Sequence, residues 1–382
     1  MMHRSFFTRF LAFLLTSLLL FAVSCSPIAP NESSSLPSQE GENSSSLEQE
    51  VSSEEISQAP KGNLNLLTGK YDLPDSAVDK RPVSFMINNI KVALPQYGIG
   101  SAEIIYEVLA EGGITRLMAV FSDYENLPSQ IGPVRSTRDY YLDLAAPMDT
   151  IFVNWGTSNI AADTIRNRKL DNIDGMYYSN YFYTDLDIAY AKGFEHSRFM
   201  KPEGLKKAMD RKNQRTQSES DRTAFRFREE NDLFLPDAQS VGYLRVKYSY
   251  SYDAAFTYDP ETKTYLVSQF GDPHMDAASG KQLAFDNVIV IYTTVERIGT
   301  NDGKVMVDLT SGDGIYVSQG GGMAINWSKG DYRNRFTFTD ASGKEVALNA
   351  GTTYVCIVPL TQRNNTEIKP LEEENSSVAI QG

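Results

Sequence analysis

Between Gly132 and Tyr141 the chain reads GPVRSTRDYY, which sets Arg135 and Arg138 beside two hydroxyls and an aspartate. Ser136 and Asp139 have capping-box spacing, so Ser136 is expected as the N-cap of a helix, with Asp139 bonding back to it. Positive side chains at a helix start oppose the dipole by roughly 0.3–1 kcal/mol each, and something must compensate them. One solution is a bound anion, since free amides and two guanidiniums make a site for a carboxylate or phosphate. The other is pairing with nearby acids such as Glu107 or Glu111.

Those acids form a second group. Glu103, Glu107 and Glu111 are spaced by four in SAEIIYEVLAEGG, which reads as a helix from a Ser101 cap to a Gly112-Gly113 stop, with the acids along one side. A solvated acidic face is the plain outcome, and Arg116, just past the stop, is a possible partner. If the protein is an enzyme, carboxylates must carry the reaction: Glu107 or Glu111 as acid or base, with Arg135 stabilising charge.

A third group is NWGTSN, where Asn154, Trp155 and Ser158 surround a strand-to-helix turn opened by Gly156. Ligands of parallel sheets bind at the carboxyl ends of strands. Asn88 and Asn89 close an earlier strand, so these residues and Arg135 are expected to meet on one edge. Trp155 is either a flat platform for a sugar or a rim residue of the core.

Many chemistries are excluded. The chain has no G-x-S-x-G, H-E-x-x-H, phosphate-loop lysine or G-x-G-x-x-G pattern. Beyond the N-terminal segment only His196, His274 and Cys356 remain of the histidines and cysteines. No metal site and no cofactor are expected from so few ligands. His274, in GDPHMD, reads as a hairpin loop, and Cys356, in TYVCIVPL, as a buried thiol in a strand. The formal charge of -13 repels phosphate polymers, so nucleic acid is not an expected partner.

The N-terminus addresses location. Arg4 and Arg9 precede an apolar run that ends at AVSC, which resembles a lipobox with Cys25 as the lipidated residue. The alternative is an ordinary secretory signal with an incidental cysteine. Residues Ser26 to Pro60 are mostly Ser, Glu, Gln, Asn and Pro without an aromatic, and predict a disordered tether. The expectation is an extracytoplasmic protein, lipid-anchored to the cell membrane.

From Val83 strand and helix patterns alternate. VSFMINN, ITRLMAVFSDY and TIFVNWG read as strands, and STRDYYLDLAA, SNIAADTIRNRK and KPEGLKKAMDRK as helices. After about Arg222, short runs of period two broken by Gly, Asp and Asn replace them. The predicted fold class is an α/β N-terminal domain, with a mixed or parallel sheet and helices, followed by a mainly antiparallel β C-terminal domain. A triplet of tyrosines, Tyr248, Tyr250 and Tyr252, would form an exposed aromatic patch if the β part is an interaction scaffold.

On RPVSFMINN, EGGITRLMAVF, IGPVRSTRDYYLDLA, FDNVIVIY and INWSKG, the chain resembles the YerB-like family of bacterial lipoproteins. The resemblance implies mostly Gram-positive surface lipoproteins with an α/β and then a β domain, and no established activity. With the signal and tether read above, the chain divides into a signal (1–24), lipidated Cys25 and tether (25–62), the α/β domain (63–221), the β domain (222–368) and a tail (369–382), the resemblance covering about Leu66 to Leu360. Where relatives tend to read Pro-His-Asn, this chain has Glu195-His196-Ser197. The ligand-binding candidates are Asn88, Asn89, Arg116, Arg135, Ser136, Arg138, Asn154, Trp155, Ser158 and His196. Two functions are carried forward: binding of a small anion, cell-wall fragment or protein partner at the α/β edge, or hydrolysis of wall glycan through Glu107 and Glu111.

Overall fold

The computed structural model describes residues 61–219, 222–299 and 303–371. Cys25, the signal-like segment and the expected tether lie outside them. The first part contains strands β1 (Val83–Asn88), β2 (Ile104–Leu109) and β3 (Thr115–Phe121), then helix α1 (Asp139–Ala145) and β4 (Ile151–Asn154). Helix α2 (Asn159–Arg168), β5 (Asn172–Asp174), β6 (Phe182–Thr184), α3 (Leu186–Lys192), β7 (Arg198–Met200) and α4 (Pro202–Lys212) follow.

One element differs from the sequence reading. The segment Ser101–Gly113 is not a helix but strand β2, flanked by short 3-10 turns at Ile99–Ser101 and Glu111–Gly113. Ile104, Ile105, Tyr106 and Val108 are β-branched or aromatic, and a strand covered on both faces is apolar throughout rather than alternating. That continuous run imitates a helix when Glu residues happen to recur every fourth position.

The second part supplies β8 (Tyr243–Lys247), β9 (Asp253–Asp259), β10 (Thr264–Gln269), β11 (Asn287–Thr293), β12 (Ser311–Ser318), β13 (Gly321–Ser328), β14 (Thr337–Thr339), β15 (Thr353–Pro359) and β16 (Glu367–Lys369). Among the described residues the large sheet runs β14-β13-β12-β11-β15-β2-β3-β1-β4-β5. Pairs β1/β4, β4/β5, β2/β15 and β11/β15 are parallel, and the rest of this path is antiparallel. The fold is therefore a mixed sheet with helices followed by mainly antiparallel strands. Strands from both parts share this sheet, because β15 lies between β11 and β2.

A second sheet, with β10-β9-β8-β16 at its centre, covers one face of the first. Its Leu244, Val246 and Phe256 pack with Ile105, Tyr354 and Cys356. On the other face Tyr106, Tyr140 and Tyr141 join an aromatic layer of Phe225, Phe336 and Phe338. Cys356 is a buried free thiol within β15, as read from its apolar run. Tyr248 and Tyr252 are buried and only Tyr250 is exposed, so the tyrosine triplet forms no aromatic patch. No described helix is long and apolar enough to cross a membrane.

Candidate functional site

The segment 131–137 is a strap across the carboxyl ends of β1 and β4. Its backbone bonds Arg135 N to Met86 O at 2.9 Å and Asn88 N to Pro133 O at 2.9 Å on one side. On the other, Val134 N reaches Arg198 O at 2.7 Å, and Trp155 N donates to Arg135 O at 3.0 Å. This pairing keeps the chain extended as far as Thr137, so helix α1 starts later than its sequence spacing implies. Its N-cap is Arg138, without a side-chain cap, and not Ser136. The Ser136 carbonyl instead accepts from Arg116 Nη1 at 2.6 Å.

The two arginines of the strap part company. Arg138 forms a two-pronged pair with Glu111, through Nε to Oε1 and through Nη2 to Oε2 at 2.7 Å. Arg116 stands behind, 3.7 Å from the same carboxylate. Burial alone would raise the Glu111 carboxyl, but the Arg138 hydrogen bonds and charge outweigh it and hold the group below its usual range. Burial, with Arg138 nearby, pulls the Arg116 guanidinium down to about 10. Arg135 is half-buried yet makes no hydrogen bond or ion pair through its side chain among the described residues. Burial lowers its pKa, with the charge of Glu195 opposing the shift and that of Arg138 adding to it.

Glu107 is not on a solvated face; it is 0% exposed. Its Oε1 accepts from Thr115 Oγ1 at 2.7 Å, Asn89 Nδ2 at 3.0 Å and Gln269 Nε2 at 3.1 Å, and its Oε2 from the Tyr354 hydroxyl at 2.7 Å. Burial pushes its pKa up, and these donors only partly offset the shift. The network continues outward. Gln96 Nε2 donates to Asn89 Oδ1 at 2.9 Å, and Gln96 Oε1 meets His274 Nε2 at 2.8 Å. His274 directly follows the hairpin that pairs Ser268 and Gln269 with Asp272 and Pro273, as read from its Gly-Asp-Pro context, but its side chain is buried against Gln96. Asn88 Nδ2 lies 2.8 Å from His196 Nδ1, which makes that nitrogen the acceptor and leaves the proton on Nε2, facing Glu195 at 3.6 Å. Burial lowers the His196 pKa, opposed by Glu195. Glu103, the last of the three acids, is tied to Ser122.

The turn after β4 does structural work. Asn154 is buried and donates to Gly156 O at 2.9 Å, and the Ser158 hydroxyl caps α2 by accepting from Ala161 N at 3.1 Å. Trp155 is half-buried, edge-on to Phe182 at 5.0 Å between ring centres. The Arg198 guanidinium lies 4.8 Å from the Trp155 ring and 5.7 Å from that of Phe194, which meets Tyr190 at 6.5 Å. Tyr190 and Tyr177 are 81% and 85% exposed, and Phe194, Met176 and Leu186 are exposed too. Arg198, Phe182, Phe194 and Tyr190 were not singled out by spacing. For Phe182 the signal was aromatic density, since five of the seven residues from Tyr177 to Tyr183 are Tyr or Phe; Arg198, Phe194 and Tyr190 lie outside that stretch and carried no such signal.

The structure therefore brings Arg135, Trp155, Asn88 and His196 to one edge, with Arg198 and its ring partners alongside. It places Glu107 and Asn89 beneath that edge in the interior, and commits Glu111, Arg116 and Arg138 to one ion cluster.

Comparison with known proteins adds the lineage. Residues 67–215 match the N-terminal domain model of a protein family of unknown function, DUF3048, and residues 244–355 match its C-terminal domain model. The chain belongs to this family. It is 28% identical to "Putative lipoprotein YerB" of Bacillus subtilis (strain 168) over 285 residues, 74% of this chain and 82% of that protein. The crystal structure of YerB protein from Bacillus subtilis superposes with a TM-score of 0.69 at 27% identity, covering 80% of this chain and 99% of that one. The resemblance read from the β1, β3 and strap motifs is thus the correct lineage.

Proposed function

We propose that this chain is a lipid-anchored extracytoplasmic binding protein that takes a carboxylate-bearing, ring-containing ligand, such as a cell-wall fragment, at the Arg135 edge. The observation that carries this reading is Arg135 itself, a half-buried guanidinium with no side-chain hydrogen bond or ion pair among the described residues. A buried charge is costly unless paired, and a carboxylate meets the two-pronged geometry of guanidinium. The aromatic series Trp155, Phe182, Phe194 and Tyr190 supplies apolar faces of the kind that stack on sugar rings. The anchor is carried by the lipobox-like Cys25 and by the name given to the Bacillus relative. Hydrolysis is the weaker reading. A glycosidase needs two carboxyls flanking an open cleft, whereas Glu107 has no exposed surface and Glu111 is clamped by Arg138.

The test is a fluorescence titration of the full chain with soluble muropeptides. Trp327 is buried, so Trp155 reports on the edge. Saturable quenching that disappears in Trp155→Phe supports the reading. Unchanged fluorescence, together with no ligand-induced rise in melting temperature, would refute it.

A further inference from the structure

A different surface of this acidic chain is locally cationic. A groove of about 760 Å³ is lined by Arg222, Lys329, Arg333 and Arg335, with the hydroxyl-bearing Ser311 and Ser328 on the strands beside them. No aspartate or glutamate is among its described lining residues. For a chain of net charge -13 that is an unusual concentration of one sign.

Internal pairing does not consume these charges. Arg333 makes no ion pair within 4 Å among the described residues, and its guanidinium sits 5.5 Å from the Tyr332 ring. Arg335 reaches Glu345 only at 4.0 Å, and that carboxylate is already held by Arg226 at 2.6 Å. Among the described residues Arg222 makes one ion pair, with Glu219 at 3.3 Å. Lys329 is buried, and its ammonium donates to the Tyr332 carbonyl at 2.7 Å and the Asp331 carbonyl at 3.3 Å. Two carbonyls leave one of its three protons free for another acceptor. Burial pulls Lys329 down to about 8, while Asp143 and Asp331 favour its charge and Arg168 opposes it. An anion in the groove would restore it.

Arg222 and Arg333 also border an adjoining cavity whose walls include Arg168, Lys169 and Arg215. There Asp149, Asp171 and Glu219 offset the cations, and Arg215 is fixed by Asp149 at 2.8 Å. Lys329 also borders a pocket lined by Asp143, Glu296 and Asp308, so the positive charge left free in the first groove is chiefly that of Arg333 and Arg335.

We infer that this groove is a second binding site, separate from the Arg135 edge, for a ligand carrying several phosphate groups. Guanidiniums bind phosphate oxygens in pairs, and serine hydroxyls are donors to the same oxygens. The groove lacks an aromatic residue among its lining, so sugar stacking is not its chemistry. Two exposed guanidiniums, with the partly engaged Arg222 and Lys329 behind them, are more than a single small anion needs. The chain's overall negative charge does not forbid this, because at about 0.15 M salt charges more than roughly 8 Å away are largely screened.

Tripolyphosphate is a suitable probe. The full chain would be titrated calorimetrically in 0.15 M salt, with citrate as a carboxylate of similar charge. Expected are binding of tripolyphosphate in preference to citrate and a loss of about tenfold or more in Arg333→Gln/Arg335→Gln. Both arginines are exposed, so the double variant should keep the wild-type melting temperature. Arg135→Ala should bind tripolyphosphate normally, which separates this site from the edge. The inference is overturned if tripolyphosphate does not bind, if citrate binds equally well, or if the double variant binds like wild type. Binding confined to phosphatidylglycerol vesicles would overturn it as well, since the source would then be a lipid surface.

Discussion

Glu107 and His274 lie in one buried network but respond to pH in opposite directions. Burial lowers the His274 pKa to about 4 from 6.5, so the fold favours the neutral ring. Its contribution is complete above about pH 6.5 and is lost as pH falls toward 4, by up to about 3 kcal/mol. The stability gap between wild type and His274→Gln, from urea unfolding, should therefore narrow across that window. A constant gap would contradict it. Glu107 has the opposite sign: its folded pKa is raised, so its contribution is complete below 4.5 and is lost as pH rises. Glu107→Gln should thus gain on wild type between pH 4.5 and 8 in the same assay. Glu107→Leu would leave Asn89, Thr115, Gln269 and Tyr354 without their acceptor and should cost about 3–5 kcal/mol.

At the scale of elements, the reading of sequence succeeded where local chemistry decides and failed where tertiary burial does. Helix α2 was legible because its signals are local, and Ser158, carried from the sequence only as a ligand-binding candidate, is its N-cap: its hydroxyl meets Ala161 N within the same turn. Ser136 had the same apparent signature, but the strap's pairing with Met86 and Trp155 holds residues up to Thr137 extended, and the cap never forms. Ser158→Ala should accordingly cost about 1 kcal/mol, and Ser136→Ala almost nothing, by thermal melting. Equal costs would mean that Ser136 does cap α1. Strand β2 was illegible for a related reason. Its helical look came from apolar residues on both faces, and only the neighbours β3 and β15, distant in sequence, make it a strand. The meeting of Asn88, Asn154 and Arg135 at one edge was legible, since strand ends of a parallel pair must share a side. That Asn89 bonds to Glu107 was not, because both asparagines are buried and only the surrounding fold decides that Asn88 meets His196 and Asn89 meets Glu107.

For the whole molecule, the texture change near Arg222 marks a change of strand pattern but not a break in the sheet. Strand β15 completes β2 on one side and β11 on the other, and Tyr354 from β15 holds the buried Glu107 of β2. The two family segments should therefore melt as one cooperative unit in calorimetry, with calorimetric and van't Hoff enthalpies agreeing. Two resolved transitions would contradict this. Such a sheet also gives the Arg135 edge a rigid support, since the strap rests on β1 and β4 near one end of the sheet.

The central claim is that the two strap arginines have different tasks: Arg138 holds Glu111, and Arg135 is kept free for a ligand. It is tested most directly by titrating Arg135→Ala and Arg138→Ala with the same muropeptides while recording their melting curves. Arg135→Ala should lose at least about tenfold in affinity with a stability change under about 0.5 kcal/mol, as an unpaired edge arginine adds little to folding. Arg138→Ala should lose about 2–4 kcal/mol of stability, because Glu111 would keep only Arg116, at 3.7 Å. Equal, negligible effects of both substitutions on melting and on binding would contradict the account.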